Sequence, residues 1–235
     1  MKFAIVMSTY RRKDGKTIEY IKRAIDSIFN QTYKDFKLFL IGDKFEDDFE
    51  LIELITQYDS SKIFYKNIKF AKERDVYKEK LSIWSYGGVN AINIGLEYAI
   101  DEGFEYLCHL DHDDWWYDNH LQEINNCIEL TGADWMCTKS TYNNQNDILP
   151  RITSDKKYIE FLPKPEGMIH SSSCFNIKKI PIRYVDIFMI EGVNKLPADA
   201  ELWRRQKEYI VKNKLKSFLI NTISCRHDHE GYEKE

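Results

Sequence analysis

The chain has 235 residues, 43% of them hydrophobic and 14% aromatic, enough to bury the core of one large domain and at odds with a repeat or fibrous architecture. Its 38 acidic and 34 basic residues are interspersed, and the net charge of −4 leaves no basic field to draw nucleic acid. No apolar run approaches the roughly 20 residues that cross a bilayer, and the one at the N-terminus is too short for a signal peptide, so the expectation is a cytoplasmic protein with no transmembrane segment and no nucleic-acid partner.

Phe3–Met7 is a short apolar run that reads as a strand, followed by the polar turn YRRKDGK. Ile18, Ile21, Ile25 and Ile28 then recur at three- and four-residue steps while Lys22, Arg23 and Asp26 take the other face. This predicts a helix from Thr17 to about Asn30, lying on a sheet. FKLFLIGD (Phe36–Asp43) reads as a second strand that ends on an aspartate, Asp47–Tyr58 as a helix carrying Phe49, Ile52 and Ile55, and KIFYKNI as a third strand. After a charged stretch, YGGVNAINIGLEYAIDEG reads as a glycine-rich turn opening a helix that Gly103 stops, and FEYLCHLD as the next strand. Strand and helix alternate throughout, which predicts a doubly wound, mainly parallel α/β sheet. Ligands gather at the carboxyl ends of strands in such sheets, and that rule places Thr9, Asp43 and Asp111 on one edge.

Beyond Asp118, Leu121, Ile124 and Ile128 predict a helix running to Gly132, and DWMCTKSTY a strand. Residues 143–157 read as a surface loop or hairpin. GMIHSSSCFNI reads as a strand close to the site; its HSSSCF segment is a candidate lining for an acceptor pocket, although a plain edge strand explains the same letters. PADAELWRRQKEYIVKN reads as a helix with Pro197 near its first turn, and KSFLINTISCRH as a last strand. The five cysteines (Cys108, Cys127, Cys137, Cys174 and Cys225) are odd in number and lack a C-x-x-C pair, so they are expected as reduced, partly buried thiols.

Residues 108–116 read CHLDHDDWW, with three aspartates and two histidines set between an apolar stretch and two tryptophans. Carboxylates this close repel one another, so a cation is expected among them. If the chain stays extended past the strand, Asp111 and Asp113 leave on the same side, and hard oxygen ligands so placed suit Mg²⁺ or Mn²⁺ shared with substrate phosphates. Capping of the next helix by Asp113 and Asp114 explains the same acids. His109 reads as a hydrogen-bonded core histidine, and Trp115 and Trp116 as core or rim aromatics.

FAIVMSTYRR, AIDSIFNQTYKDFKLFLIGD, NAINIGLEYAIDEGFEYLCHLDHDDWW and DAELWRR, in that order, resemble the family 2 glycosyltransferases of the GT-A fold across most of residues 1–205, and LDHDDWW is similar to the family's D-x-D motif. The resemblance implies one GT-A domain over residues 1–235, with a doubly wound, mainly parallel central sheet and a small extra sheet. Residues 1–117 would form the nucleotide-sugar-binding half, 118–225 the acceptor-binding half and 226–235 a C-terminal tail. It further implies inverting, metal-dependent transfer, with Mn²⁺ or Mg²⁺, from a nucleoside-diphosphate sugar to a hydroxyl acceptor such as a glycan, with a UDP-sugar favoured.

By the same resemblance Thr9 and Tyr10 match the loop that packs on the nucleobase, and Asp43 the aspartate that contacts base or ribose. Asp111 would hold the ribose or assist the metal, and Asp113 would be the direct metal ligand bridging to the diphosphate. Arg12, with Arg11 or Arg226, is a candidate to meet the diphosphate. Asp199 matches the general base, Glu201 competes for that role about 200° away around the helix, and Trp203 is expected at the substrate site. RHDHEG resembles the segment that gives some relatives a histidine on the metal, here His227 or His229. Three residues depart from the pattern: Gly42 replaces the first aspartate of a common pair, Asn93 an arginine, and Ala198 the glutamate before the base. Two other functions use the same carboxylates. A phosphoesterase or nucleotidyltransferase needs a second acidic or histidine cluster, and a non-catalytic nucleotide-sugar-binding module can dispense with Asp199.

Overall fold

The structure, a computed structural model, describes residues 1–76, 85–142, 147–185 and 196–227. Strand β1 (Phe3–Thr9) leads into helix α1 (Thr17–Phe29), where Tyr20, Ile21, Ala24, Ile25 and Ile28 are buried and Lys22 bridges to Asp26 at 2.6 Å on the outer face. Next come β2 (Phe36–Asp43), α2 (Phe49–Ile55), β3 (Ile63–Ile68), α3 (Lys72–Val76), α4 (Val89–Asp101) and β4 (Tyr106–His109). The second half holds β5 (Trp115–Trp116), α5 (His120–Thr131), β6 (Trp135–Tyr142), β7 (Asp147–Leu149), β8 (Tyr158–Glu160), β9 (Ser173–Asn176), α6 (Ala198–Asn213) and β10 (Ser217–His227). No helix among the described residues is long and apolar enough to cross a membrane.

All ten described strands join one sheet in the order β3-β2-β1-β4-β9-β6-β10-β5, with β7 on β6 and β8 on β10. Strands β3, β2, β1 and β4 are parallel. Strand β9 runs antiparallel to both β4 and β6, so β6, and β10 parallel to it, point the same way as β1 and β4. The carboxyl ends of these six parallel strands therefore open on one edge. The extra strands expected as a small separate sheet extend this sheet instead.

The pleat sends alternate residues of β1 to opposite faces. Phe3, Ile5 and Met7 pack with α1 and α5; Ala4 and Val6 pack with Val89, Ile92, Leu96 and Ala99 of α4. Both faces are covered, which is why β1 and β2 read as continuous apolar runs. Helix α4 comes closest at Gly95, where an added Cβ would stand 2.7 Å from Val6 Cγ1 and 3.1 Å from Ile41 Cγ1. All five cysteines are free and buried.

Candidate active site

A cavity of about 350 Å³ opens at the shared carboxyl edge. Tyr10, Asp111, His112 and Asp113 from the first half of the chain line it together with Met168, His170, Tyr184, Asp199, Trp203 and His227 from the second. The residues come together because each follows a strand end or opens an element there. β4 stops at His109, the Leu110 N–H still donates to Val6 O at 3.2 Å, and Asp111 is the first residue past the sheet. β9 runs against β4, so the single turn His170–Ser172 that starts it lands on Asp111. β10 ends on His227 in register with Tyr142, and the two rings stack at 5.3 Å.

Each acid of the Asp111–Asp114 turn has a different partner. Asp111 keeps 39% of its side chain exposed, and its Oδ1 lies 3.3 Å from His170 Nδ1. Burial raises its carboxyl, but His170, His227 and His112 outweigh that and hold it well below the ordinary range. Asp113 accepts from Arg12 Nη1 at 2.9 Å in a pair whose side chains are 4% and 1% exposed. Asp114 is fully buried and accepts from Ser171 Oγ at 2.5 Å and from His227 Nδ1 at 2.8 Å. Burial works against a charge on His227, yet Asp114, by charge and hydrogen bond, lifts it to about 9. Neither Asp113 nor Asp114 caps a helix: the next one begins at His120, with Asn119 at its cap.

The surroundings of Asp199 are simpler. Asp199 opens α6, accepts the Ala200 N–H at 2.7 Å and faces the cavity. Burial raises its carboxyl and His170 is the strongest influence lowering it. Glu201 lies around the helix with Arg204 Nη2 at 2.7 Å and is not part of the cavity lining. Trp203 lines the cavity while 2% exposed.

Several expected side chains stand elsewhere. Arg12 lies beneath Asp113 rather than in the cavity, because a buried carboxylate needs a cation more than the solvent edge does. Arg11 is spent on Glu46 O, Asp47 O and Glu50, and Arg226 lies over the Trp115 ring. Thr9 is fully buried at the end of β1, and its neighbours Ser8 and Tyr10 line the cavity instead. Asp43 is fully buried too, with Arg74 Nε 2.8 Å from its Oδ2; Arg74 also lies 4.6 Å from the Tyr10 ring centre. His109 is a core histidine but not a hydrogen-bonded one: both ring nitrogens lack partners and the ring stacks on His170 at 4.3 Å. His229 lies outside the described residues. His170, Ser171, Tyr184, Arg74 and Asp114 were not singled out as site residues; the HSSSCF segment signalled the first two and the CHLDHDDWW cluster Asp114, while nothing signalled Tyr184 or Arg74.

The departures from the family pattern have local reasons. A Cβ on Gly42 would meet Asn67 Oδ1 at 2.8 Å, and that oxygen holds the Phe45 N–H. Asn93 exchanges hydrogen bonds with the Tyr184 backbone at 3.1 and 3.2 Å. Ala198 lines the cavity beside Asp199.

No group of three or more His, Cys, Asp or Glu among the described residues forms a ready-made metal cage. Mg²⁺ and Mn²⁺ do not need one, since they take one or two carboxylates and complete their shell with water and substrate phosphates. Asp113 and His227 both line the cavity and fit that smaller demand, provided His227 gives up its Nε2 proton to the ion while Nδ1 stays on Asp114.

A helix-covered sheet with acids from two halves of the chain on its carboxyl edge has the architecture of the GT-A fold. Residues 4–185 match the profile described as Glycosyl transferase family 2, and the chain belongs to that family. An uncharacterized glycosyltransferase of Acanthamoeba polyphaga mimivirus is 36% identical over 240 residues, covering 98% of this chain and 95% of the relative. The amylovoran biosynthesis glycosyltransferase AmsB of Erwinia amylovora is 26% identical over 166 residues, 70% of this chain and 47% of AmsB. Among solved structures, S. aureus TarS 1-349 in complex with UDP-GlcNAc superposes with a TM-score of 0.70 at 12% identity, over 100% of this chain and 61% of that one. The mannosyltransferase PcManGT from Pyrobaculum calidifontis in complex with GDP-Man and Mn²⁺ gives 0.63 at 9% identity, over 98% and 58%. The chain thus spans nearly all of its viral relative and about three fifths of these solved chains.

Proposed function

We propose that this glycosyltransferase moves a sugar from a nucleoside-diphosphate sugar, a UDP-sugar being favoured, to a hydroxyl acceptor such as a glycan, with inversion and with Mn²⁺ or Mg²⁺. One observation carries the reading: Asp111, Asp113 and Asp199 line a single cavity, and no lysine or arginine among the described residues lines it. A diphosphate entering such a place meets three carboxylates and only the His170 and His227 rings as cations, which favours a divalent ion entering with it. Residues 1–117 hold the donor and 118–225 the acceptor in this reading. Tyr10, backed by the Arg74–Asp43 pair, faces the nucleoside, Asp111 the ribose, and Asp113 with His227 the metal. A divalent ion held there neutralises charge that develops on the departing diphosphate. Asp199 takes the proton of the acceptor hydroxyl as it attacks, and Trp203, Tyr184 and Met168 shield the cavity from water. A base in the acceptor half, lining the same cavity as Asp113, supports a single displacement and hence inversion.

The test is a panel of UDP-, GDP- and dTDP-sugars with Mn²⁺, read as nucleoside-diphosphate release. Asp199→Ala is expected to keep nucleotide binding and to lose at least ~100-fold in turnover. Asp113→Ala is expected to lose the metal-linked part of nucleotide binding. An Asp199→Ala protein that turns over like wild type would remove the base from this position.

A further inference from the structure

His170 lines the cavity between Asp111 and Tyr184. Its Nδ1 is 3.3 Å from Asp111 Oδ1, and its Nε2 is bonded to the Tyr184 hydroxyl. Below it the fully buried His109 ring makes no hydrogen bond, and burial keeps that ring neutral, so it supports His170 by stacking alone. Tyr184 is in turn pinned through its backbone by Asn93.

We infer that His170 is a positioning residue that ties the donor-side carboxylate of Asp111 to the acceptor-side phenol of Tyr184 and sets its charge beside Asp199; the inference rests on the reading of Asp199 as the base. Both ring nitrogens meet an oxygen that can accept, so the doubly protonated imidazolium is the form the geometry satisfies in full. The Tyr184 oxygen then accepts from His170, and its own proton is left to point at a group in the cavity. Charge agrees with this. Burial opposes an imidazolium at His170, but Asp111, Asp199 and Asp114 prevail and raise it. Asp199 is faced by His170, Asp111 and Tyr184 and by the Ala200 N–H; of these His170 does most to keep it ionised against its burial. Without His170, Asp199 loses the strongest cation acting on it while the Asp111 charge remains, and the base takes up a proton at higher pH.

The experiment compares wild type with His170→Phe, which keeps the stack on His109, His170→Gln, which keeps one donor, and Tyr184→Phe. Calorimetric affinity for UDP with Mn²⁺, UDP release from UDP-GlcNAc and melting temperature are read for each. His170→Phe is expected to lower kcat ~30-fold or more while the UDP dissociation constant stays within about threefold. His170→Gln is expected to recover part of the loss, and in it the acid limb of kcat moves up by about one pH unit. Tyr184→Phe is expected to lose less than His170→Phe. A kcat for His170→Phe within about threefold of wild type, a parallel loss of UDP affinity, or an unmoved acid limb would overturn the inference. If wild type releases no nucleoside diphosphate from any donor of the UDP-, GDP- and dTDP-sugar panel, the donor reading has failed and histidine ring NMR decides separately. The resonance lost in His170→Gln must titrate above about 6.5 and fall in Asp111→Asn; one that titrates alike in both backgrounds overturns it.

Discussion

Asp113 pairs with Arg12 within the fold and is the proposed metal ligand, and the pairing governs how it responds to mutation. Removing it takes from the Arg12 guanidinium, 1% exposed, its 2.9 Å partner and leaves Asp14 at 3.6 Å, at a cost of up to about 3 kcal/mol. Asp113→Ala is therefore expected to melt well below wild type, and adding Arg12→Met to restore most of the melting temperature without restoring UDP binding. Equal melting of the single and double variants would show that the pair is not coupled. Arg12 also shows why this residue was misread from sequence: its carboxylate is 101 positions away, and nothing near an arginine in a polar turn distinguishes a buried cation from a phosphate ligand. Glu73 makes a second case. It is 1% exposed, its Oε1 accepts the Asn90 N–H at 3.2 Å, and its Oε2 has no partner. Burial raises the carboxyl to about 7, Asp43 adds to the rise and the Asn90 N–H opposes it. A folded value above the unfolded one means the folded state holds the proton longer, so stability falls as pH climbs from about 4.3 through 7. Glu73→Gln removes that loss: thermal melts should match wild type at pH 4 and show a gain of up to about 3 kcal/mol at pH 8. A gain independent of pH would mean the carboxyl titrates normally.

Periodic elements were the legible ones. The four isoleucines of α1 and the uninterrupted run of β2 fix both within one residue, because each is read against a face of one sheet. The turn at His170–Ser172 was legible only as part of a strand. Its position depends on β9 running against β4, a pairing between segments more than 60 residues apart that no local pattern encodes. The same holds for Tyr184, which reaches the cavity through Asn93. Helix α4 offers a test of packing against propensity. Gly95→Ala improves helix propensity by up to about 1 kcal/mol, but the added methyl enters the Val6 and Ile41 side chains. Overpacking of this kind costs about 1–3 kcal/mol, so denaturant melts should show a net loss. A stabilised Gly95→Ala would mean that α4 can move off the sheet at no cost.

The α/β class and the shared edge followed from alternation and from the rule that ligands collect at strand ends. What could not follow was the division of labour along that edge. Thr9 and Asp43 are delivered to it and then fully buried, whereas Asp111 is left facing the cavity. Burial at a strand end is decided by which segments fold over it, and the one over Asp43 carries Arg74 from 31 positions away. The central claim is that this edge grips a divalent ion together with a nucleoside diphosphate. Crystals grown with UDP and Mn²⁺ and measured at the manganese absorption edge test it most directly. The expected result is an anomalous peak ~2.2 Å from the Asp113 carboxylate with the diphosphate on its far side. A nucleotide bound elsewhere, with Asp113 still held by Arg12 alone, would contradict the account.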